Sequence, residues 1–439
     1  MENYDFTIQT LGPAAIPSPL DLSRIADDLM ANYSSDDERI LYDLNVLPGA
    51  ETSLKERGFL EKAGPREKIY FDPSKVHAGI VTCGGLCPGS NDVIRAIVMT
   101  LWYNYGVRRI SGFKFGFRGL IPQYRLPVVE LVPDRVAEIH SQGGTILGSS
   151  RGGGERMAEV VDSIERTNLS ILFVIGGDGS QKGALSIAAE VGRRGLTTAV
   201  VGVPKTIDND LCFIQRSFGF ETAMAVAVEA VTGAHVEAHD AVNGIAIVKL
   251  MGRDSGFIAA YTALGTSDVN YVLVPEVPFD LDGERGLLAE LKRRLERRQH
   301  AVIVVAEGAG QDLLSATMDE RDASGNKKLG DIGIFLRDSI ADFFKREDME
   351  INLKYMDPSY LIRSVPANPG DAVYCTRLGA NAVHAAMAGK TAMIVSLLND
   401  RFVHVPMRLT VSRRNRIDPE SPLWRDVVEA TGQPALMKN

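Results

Sequence analysis

Ser170-Ile-Leu-Phe-Val-Ile175 runs into Gly176-Gly-Asp-Gly-Ser180, and Thr198-Ala-Val-Val-Gly-Val203 runs into Pro204-Lys-Thr-Ile-Asp-Asn-Asp210. Two short, apolar, β-branched runs of this kind predict buried parallel strands, with a helix between them. In open α/β sheets ligands sit beyond the carboxyl ends of the strands. Both strands end in glycines, hydroxyls and carboxylates, so chemistry is expected at this edge.

The first turn has the parts of a phosphate cradle. Gly176, Gly177 and Gly179 lack Cβ atoms, so backbone amides can approach an anion, and the helix that follows opens with its positive end toward it. Asp178 would repel a bare phosphate. A magnesium ion between the two removes the conflict, because magnesium takes one or two carboxylates together with phosphate oxygens and waters. Taken alone, the turn also reads as a tight turn with an ordinary helix N-cap.

The second turn adds a base. Asp208 reaches the same sheet edge, where it could accept a proton from a hydroxyl within hydrogen-bond reach. Asp210 stands two residues on, across Asn209, so one carboxylate can serve the substrate while the other holds the loop.

Composition narrows the class. The chain has 439 residues, 45% hydrophobic and 24% charged, enough for two or three structural units. A net charge of -8 is the wrong sign for a nucleic-acid partner. Phosphate ligands must then be held by local cations. Cysteines are few (Cys83, Cys87, Cys212, Cys375) and lack a zinc-ligand pattern, which predicts reduced thiols and a cytoplasmic location. The acidic start has no signal-peptide pattern, and no run is long and apolar enough for a membrane span.

Other segments repeat the strand-then-turn pattern. His77-Ala-Gly-Ile-Val-Thr82 leads into Cys83-Gly-Gly-Leu-Cys-Pro-Gly-Ser-Asn91 and a helix. The basic Val107-Arg-Arg-Ile-Ser-Gly112 stands where a dinucleotide fold would place an acidic ribose-binding residue, which counts against a dehydrogenase. Gly143-Gly-Thr-Ile-Leu-Gly-Ser-Ser-Arg-Gly152 ends in an arginine that can lie flat against phosphate oxygens. Gly219 to Val236 predicts a helix, as do Leu287 to Arg298, with a solvated basic face, and Asp331 to Phe344. The strand from Ala241 to Leu250 ends in Met251-Gly-Arg-Asp-Ser-Gly256, and Val302-Ile-Val-Val-Ala306 ends at Glu307. Asp319 to Lys328 reads as a loop, and Arg39 to Leu44 and Lys68 to Asp72 as possible short strands.

Together, Gly176-Gly-Asp-Gly-Ser180 and Pro204-Lys-Thr-Ile-Asp-Asn-Asp210 resemble the 6-phosphofructokinase family, and the resemblance runs from about Ala78 to about Lys390. It implies transfer of the γ-phosphoryl of MgATP to the 1-hydroxyl of fructose 6-phosphate. By the same resemblance Gly84, Gly85, Arg151, Gly152, Gly177, Asp178, Gly179 and Ser180 would contact the nucleotide, with Asp178 organising magnesium. Thr206, Ile207, Asp208, Met251, Gly252, Arg253, Glu307, Tyr360 and Arg363 would contact the sugar phosphate. Asp208 would be the base, Arg151 would stabilise the transferred group, and Thr206 would orient the nucleophile or the phosphoryl oxygens.

The family implies two doubly wound, mostly parallel-sheet domains facing a cleft, and a homo-oligomer, dimer or tetramer. Residues 76–218 and 362–411 would form the nucleotide domain, 219–361 and 412–439 the sugar-phosphate domain, and 1–75 an N-terminal extension. The chain departs from the familiar bacterial pattern at Tyr360, where those enzymes carry histidine, and at Lys354 and Gly244, where they carry arginines. In this it is similar to the longer phosphofructokinases of plants and kinetoplastids. Pyrophosphate-dependent relatives carry a second aspartate where Gly179 stands, so Gly179 favours ATP, whereas Lys205 resembles a lysine of the pyrophosphate enzymes and also occurs in ATP-using longer relatives. Pyrophosphate remains the alternative donor, and a non-catalytic metabolite-binding subunit is a more remote reading. Lipid and NAD kinases share the glycine turn but not the Thr-Ile-Asp-Asn-Asp run.

Overall fold

Buried β-branched strands set the frame of both halves of the molecule. The computed structural model describes residues 4–25, 27–44, 58–152, 156–314 and 328–439. The loop expected from Asp319 to Lys328 lies, except for Lys328, outside the described residues. The chain divides into two compact units. One comprises Met1–Thr206, Leu211–Gly219 and Val365–Arg414, the other Ile207–Asp210, Phe220–Ser364 and Asn415–Asn439.

The first unit is built on a nine-stranded sheet. Its five central strands, Met393–Leu398, Ala199–Pro204, Ile171–Gly176, His77–Thr82 and Arg109–Phe113, are parallel neighbours in that order. Every residue of Ile171–Gly176, Ala199–Pro204 and His77–Thr82 is buried. Such strands need cover on both faces. Leu172, Val174 and Val200 join Val160, Ile164, Ala184 and Ile187 of the helices Met157–Thr167 and Asp178–Arg193 in one core cluster. The helix Pro369–Met387 packs both on Ser90–Met99 and on the Ala199–Pro204 strand.

The edges of this sheet turn antiparallel, and the reason is local. Leu398 and Arg401 are joined by Asn399 and Asp400, with φ of 48° and 60°. Two left-handed residues in a row make the tight hairpin turn that Asn and Asp favour, too short for a crossover helix, so Arg401–Pro406 returns antiparallel. Phe59–Lys62 and Arg39–Leu41 follow outward from it, and Val128–Glu130 closes the opposite edge. The stretch before residue 75 thus supplies two strands of the main sheet. Glu61 in that strand is buried, and its Oε1 lies 2.9 Å from both Lys390 Nζ and His404 Nδ1 and 3.1 Å from Arg66 Nη2.

The second unit holds a four-stranded, wholly parallel sheet in the order Tyr271–Leu273, His300–Ala306, Gly244–Leu250, Asn352–Met356. Helix Phe220–His239 packs on the two central strands. On another side of this sheet Leu287–Arg298 presents Leu287, Leu288, Leu291 and Leu295 to a core shared with Ile245, Ile247 and the helix Ile332–Arg346. The helix Phe257–Thr266 begins where the Met251–Gly256 turn ends.

Candidate active site

The glycine turn lies where the Ile171–Gly176 strand gives way to the helix Asp178–Arg193. Gly177 is the N-cap and no side chain caps this helix, so its first amides are not satisfied by a side-chain cap. A Cβ at Gly176 would fall 2.3 Å from Ser180 Cβ, and one at Gly177 3.1 Å from Lys205 O. Gly179 differs: it is exposed and a Cβ there meets no atom within 4 Å. The protein's own packing does not require glycine at 179. Asp178 is in the first helical turn, where a carboxylate suits the helix dipole, and its side chain is 11% exposed. Its Oδ2 accepts from Lys182 Nζ at 2.8 Å and lies 3.7 Å from the Arg414 guanidinium.

Two further loops are fastened to this turn. Cys83 N–H donates to Ile175 O (2.9 Å) and Gly84 N–H to Ser150 O (3.0 Å), while Ser149 Oγ donates to Gly84 O at 2.7 Å. Arg151 and Gly152 follow directly and are exposed. Gly84, with φ of 91°, leaves room for the buried Lys205, whose Nζ donates to Gly85 O at 2.7 Å and would lie 3.4 Å from a Cβ at 84. Burial pushes the Cys83 thiol up to about 12, so it is inert beside the site. All four cysteines are buried, and none is in a disulfide.

Gln181 is not among the residues that the sequence motifs single out. Its fully buried amide donates to Val174 O (3.3 Å), Gly176 O (2.8 Å) and Val203 O (3.2 Å), binding the ends of two neighbouring strands to the start of the helix. A signal was available: Gln181 stands in register with the buried stripe Ala184, Ile187, Val191, where an apolar residue is the rule.

The Lys205–Asp210 segment is where the chain passes from one unit to the other. Lys205 N–H donates to Gly176 O at 3.1 Å, and Ser217 Oγ donates to Thr206 O. Asn209 takes φ of 53°, a conformation that asparagine tolerates better than most residues. Ser255 Oγ donates to Asp208 O (3.1 Å), and Asn415 donates through N–H to Asp210 O (2.8 Å) and through Nδ2 to Asn209 O (3.4 Å). Asp210 is 6% exposed, whereas Asp208 and Thr206 are half-buried.

In the second unit the Met251–Arg253 turn and Glu307 lie at the ends of paired parallel strands. Glu307 N–H donates to Leu250 O at 2.9 Å and Gly308 N–H to Gly252 O at 3.1 Å. The fit is tight, since a Cβ at Gly308 would fall 1.9 Å from Arg253 O. Ser255, which follows this turn, is the residue that holds Asp208. Tyr360 and Arg363 lie on the short helix Ser359–Arg363, which packs on Phe220–His239. Tyr360 is exposed, the Arg363 guanidinium stands 4.9 Å from its ring, and Arg363 Nε is buried without a protein partner. At Gly244 a Cβ would fall 2.0 Å from Ala238 O, so the bacterial arginine has no room there. Lys354 is exposed on its strand.

Within the first unit, then, Gly84, Gly85, Gly177, Asp178, Ser180 and Lys205 surround adjoining strand ends, with Arg151 and Gly152 tied in through the serines before them. Within the second, Met251, Gly252, Arg253 and Glu307 share one strand edge, and Asp208 is tied to it through Ser255. Among the described residues no group of three or more His, Cys, Asp or Glu side chains is disposed to hold a metal. The single carboxylate of Asp178 fits an ion that arrives on a nucleotide's phosphates, rather than a cage made by the protein.

An uncapped helix behind a glycine turn, with a carboxylate in its first turn and aspartates at the next strand end, is equipment for phosphoryl transfer. The chain belongs to the phosphofructokinase family, whose model, described as Phosphofructokinase, matches residues 77–386. An ATP-dependent 6-phosphofructokinase of Borreliella burgdorferi is 52% identical over 100% of this chain and 99% of that protein. ATP-dependent 6-phosphofructokinase 7 of Arabidopsis thaliana is 49% identical over 86% of this chain and 77% of that one. Among solved structures, the pyrophosphate-dependent phosphofructokinase of Marinobacter aquaeolei has a TM-score of 0.66 at 20% identity, covering 81% of this chain and 91% of that chain, a likeness of fold. No helix among the described residues is long and apolar enough to cross a membrane.

Proposed function

We infer that this chain transfers the γ-phosphoryl group of ATP to the 1-hydroxyl of fructose 6-phosphate, giving fructose 1,6-bisphosphate. The observation that carries this is the 52% identity over the full length to a protein named as an ATP-dependent 6-phosphofructokinase. The open position at Gly179 supports ATP over pyrophosphate: an aspartate there would set a charge and a side chain against the nucleotide's α-phosphate.

Such transfers depend on positioning and charge stabilisation more than on covalent chemistry by the protein. Gly84, Gly85, Gly152, Gly177, Gly179 and Ser180 cradle the nucleotide, and Arg151 stabilises charge on the transferred group. The donor would bind as MgATP, whose magnesium would offset phosphate charge, and Asp178 is the residue that would hold that ion. Asp208 accepts the proton of the 1-hydroxyl, Thr206 orients the reacting oxygens, and the buried Asp210 holds the loop. Arg253 and Arg363 bind the acceptor's phosphate. Glu307 accepts hydrogen bonds from sugar hydroxyls, and Ile207, Met251, Gly252 and Tyr360 complete the acceptor site. We place this activity in the cytoplasm, in a homo-oligomer.

A coupled assay offering ATP or pyrophosphate with fructose 6-phosphate tests the reading. Turnover with ATP and none with pyrophosphate is expected. Efficient use of pyrophosphate would overturn the donor assignment, and no turnover with either would point to a metabolite-binding subunit.

A further inference from the structure

Lys249 is the one charged residue in the Gly244–Leu250 strand. Residues two apart on a strand share a face, so Lys249 stands in line with Ile245 and Ile247, which are buried in the core under Leu287–Arg298 and Ile332–Arg346. An ammonium at the end of that stripe is costly to desolvate unless it is paired. Its Nζ lies 2.8 Å from Asp331 Oδ2 and 2.9 Å from Asp357 Oδ2, with 12% of the side chain exposed. Burial lowers the lysine's pKa, but the bonds to the two aspartates more than reverse this and hold it above the ordinary value.

Each aspartate has a second task. Asp331 caps the Ile332–Arg346 helix, its Oδ1 accepting from the N–H groups of Gly333 (3.0 Å) and Ile334 (3.1 Å) and from Tyr355 Oη (3.3 Å). Asp357 starts the segment that carries Tyr360 and Arg363, with Oδ1 accepting from Ser359 N–H at 3.1 Å and from the Ser359 hydroxyl. Lys249 therefore fastens the entry of the Ser359–Arg363 helix both to a fixed helix cap and to the strand that continues into Met251–Arg253. Without it two carboxylates would face each other uncompensated. At the far end of the same helix is the buried, unpartnered Nε of Arg363. A guanidinium donor left so is well suited to an anion.

We propose that Lys249 is a positioning residue for the acceptor: through Asp357 it sets the Ser359–Arg363 helix against the Met251–Arg253 turn, so that Arg363 meets the phosphate of fructose 6-phosphate. This rests on the reading that Arg363 binds that phosphate. The test compares Lys249→Met, Lys249→Arg, Asp357→Asn and Arg363→Ala in the full chain. Asp357→Asn keeps the acceptor for Ser359 and leaves the Lys249–Asp331 pair in place, so it decides alone if Lys249→Met does not fold. Lys249→Met and Asp357→Asn are expected to raise KM for fructose 6-phosphate about tenfold or more, with KM for ATP within about twofold, and Lys249→Arg to recover most of the loss. If Arg363→Ala leaves KM for fructose 6-phosphate unchanged, the acceptor reading fails. If it raises KM while Asp357→Asn and any folded Lys249→Met leave it unchanged, or if KM for both substrates rises equally, the positioning role is overturned.

Discussion

In the donor site proposed at Gly176–Ser180 the groups facing an anion are backbone amides and the open end of a helix, whereas in the acceptor site proposed at Met251–Arg253 and Ser359–Arg363 they are guanidinium groups. The first arrangement depends on what is missing: a methyl group at Gly176 collides with Ser180. The second depends on what is paired, with the helix entry held by an ion pair to Lys249. A site made of backbone is sensitive to any side chain added to it, and a site made of side chains is sensitive to the loss of a charge.

The largest effect on the chemical step is expected at Asp208. Asp208→Asn keeps the shape and removes the base, and kcat should fall about 10²- to 10⁴-fold with acceptor binding nearly unchanged. A variant that keeps most of its kcat would remove Asp208 from the chemistry. Next comes the donor turn. Gly179→Asp should abolish ATP turnover while changing stability by no more than about 0.5 kcal/mol, because position 179 is exposed and a Cβ there meets no atom within 4 Å. Gly176→Ala should instead destabilise the fold by about 1–3 kcal/mol, since its Cβ is placed 2.3 Å from Ser180 Cβ. Denaturant titration of both variants checks the contrast, and equal destabilisation would break it. On the acceptor side Arg253→Ala should raise KM for fructose 6-phosphate about ten- to a hundredfold and leave KM for ATP in place. Equal effects on both substrates would make Arg253 structural.

The smallest expected effect separates the units by pH. Burial holds His384 down to about 4, and burial likewise lowers His404, outweighing its bond to Glu61. Burial would raise Glu61, but His404 and Lys390 overcome it and hold the carboxyl well below the usual range. All three groups bind fewer protons folded than unfolded, so their contribution is present at neutral pH and lost on acidification. For the histidines the loss begins as pH falls below about 6.5, and for Glu61 below about 4.3. His384 alone should cost roughly 2 kcal/mol between pH 7 and pH 5. All three lie in the first unit. Trp102 lies in that unit and Trp424 in the other, and the chain has no further tryptophan. Unfolding at pH 5 should therefore be seen at lower denaturant by Trp102 than by Trp424, with His384→Gln narrowing the gap. Coincident transitions at both pH values would refute it.

What the sequence displayed was what is local. The Ile171–Gly176 strand is a β-branched run ending in a glycine turn, and the helix Leu287–Arg298 carries its apolar stripe at regular spacing. The strand Phe59–Lys62 was hidden because Glu61 breaks the apolar pattern, and the partners that make its burial possible, Lys390 and His404, lie more than three hundred residues away. Lys249 looks like an ordinary strand residue for the same reason, its pairing with Asp331 and Asp357 being invisible along the chain. The sheet's antiparallel edge depends on Asn399 and Asp400, two residues inconspicuous until their φ angles are seen.

The empty space around Gly179 bears on how donors change in evolution. Glycine and aspartate codons differ by one base, and a Cβ at 179 meets no described atom within 4 Å. A lineage could therefore lose nucleotide use at this position in a single step that leaves folding intact, with selection acting on the phosphoryl donor alone.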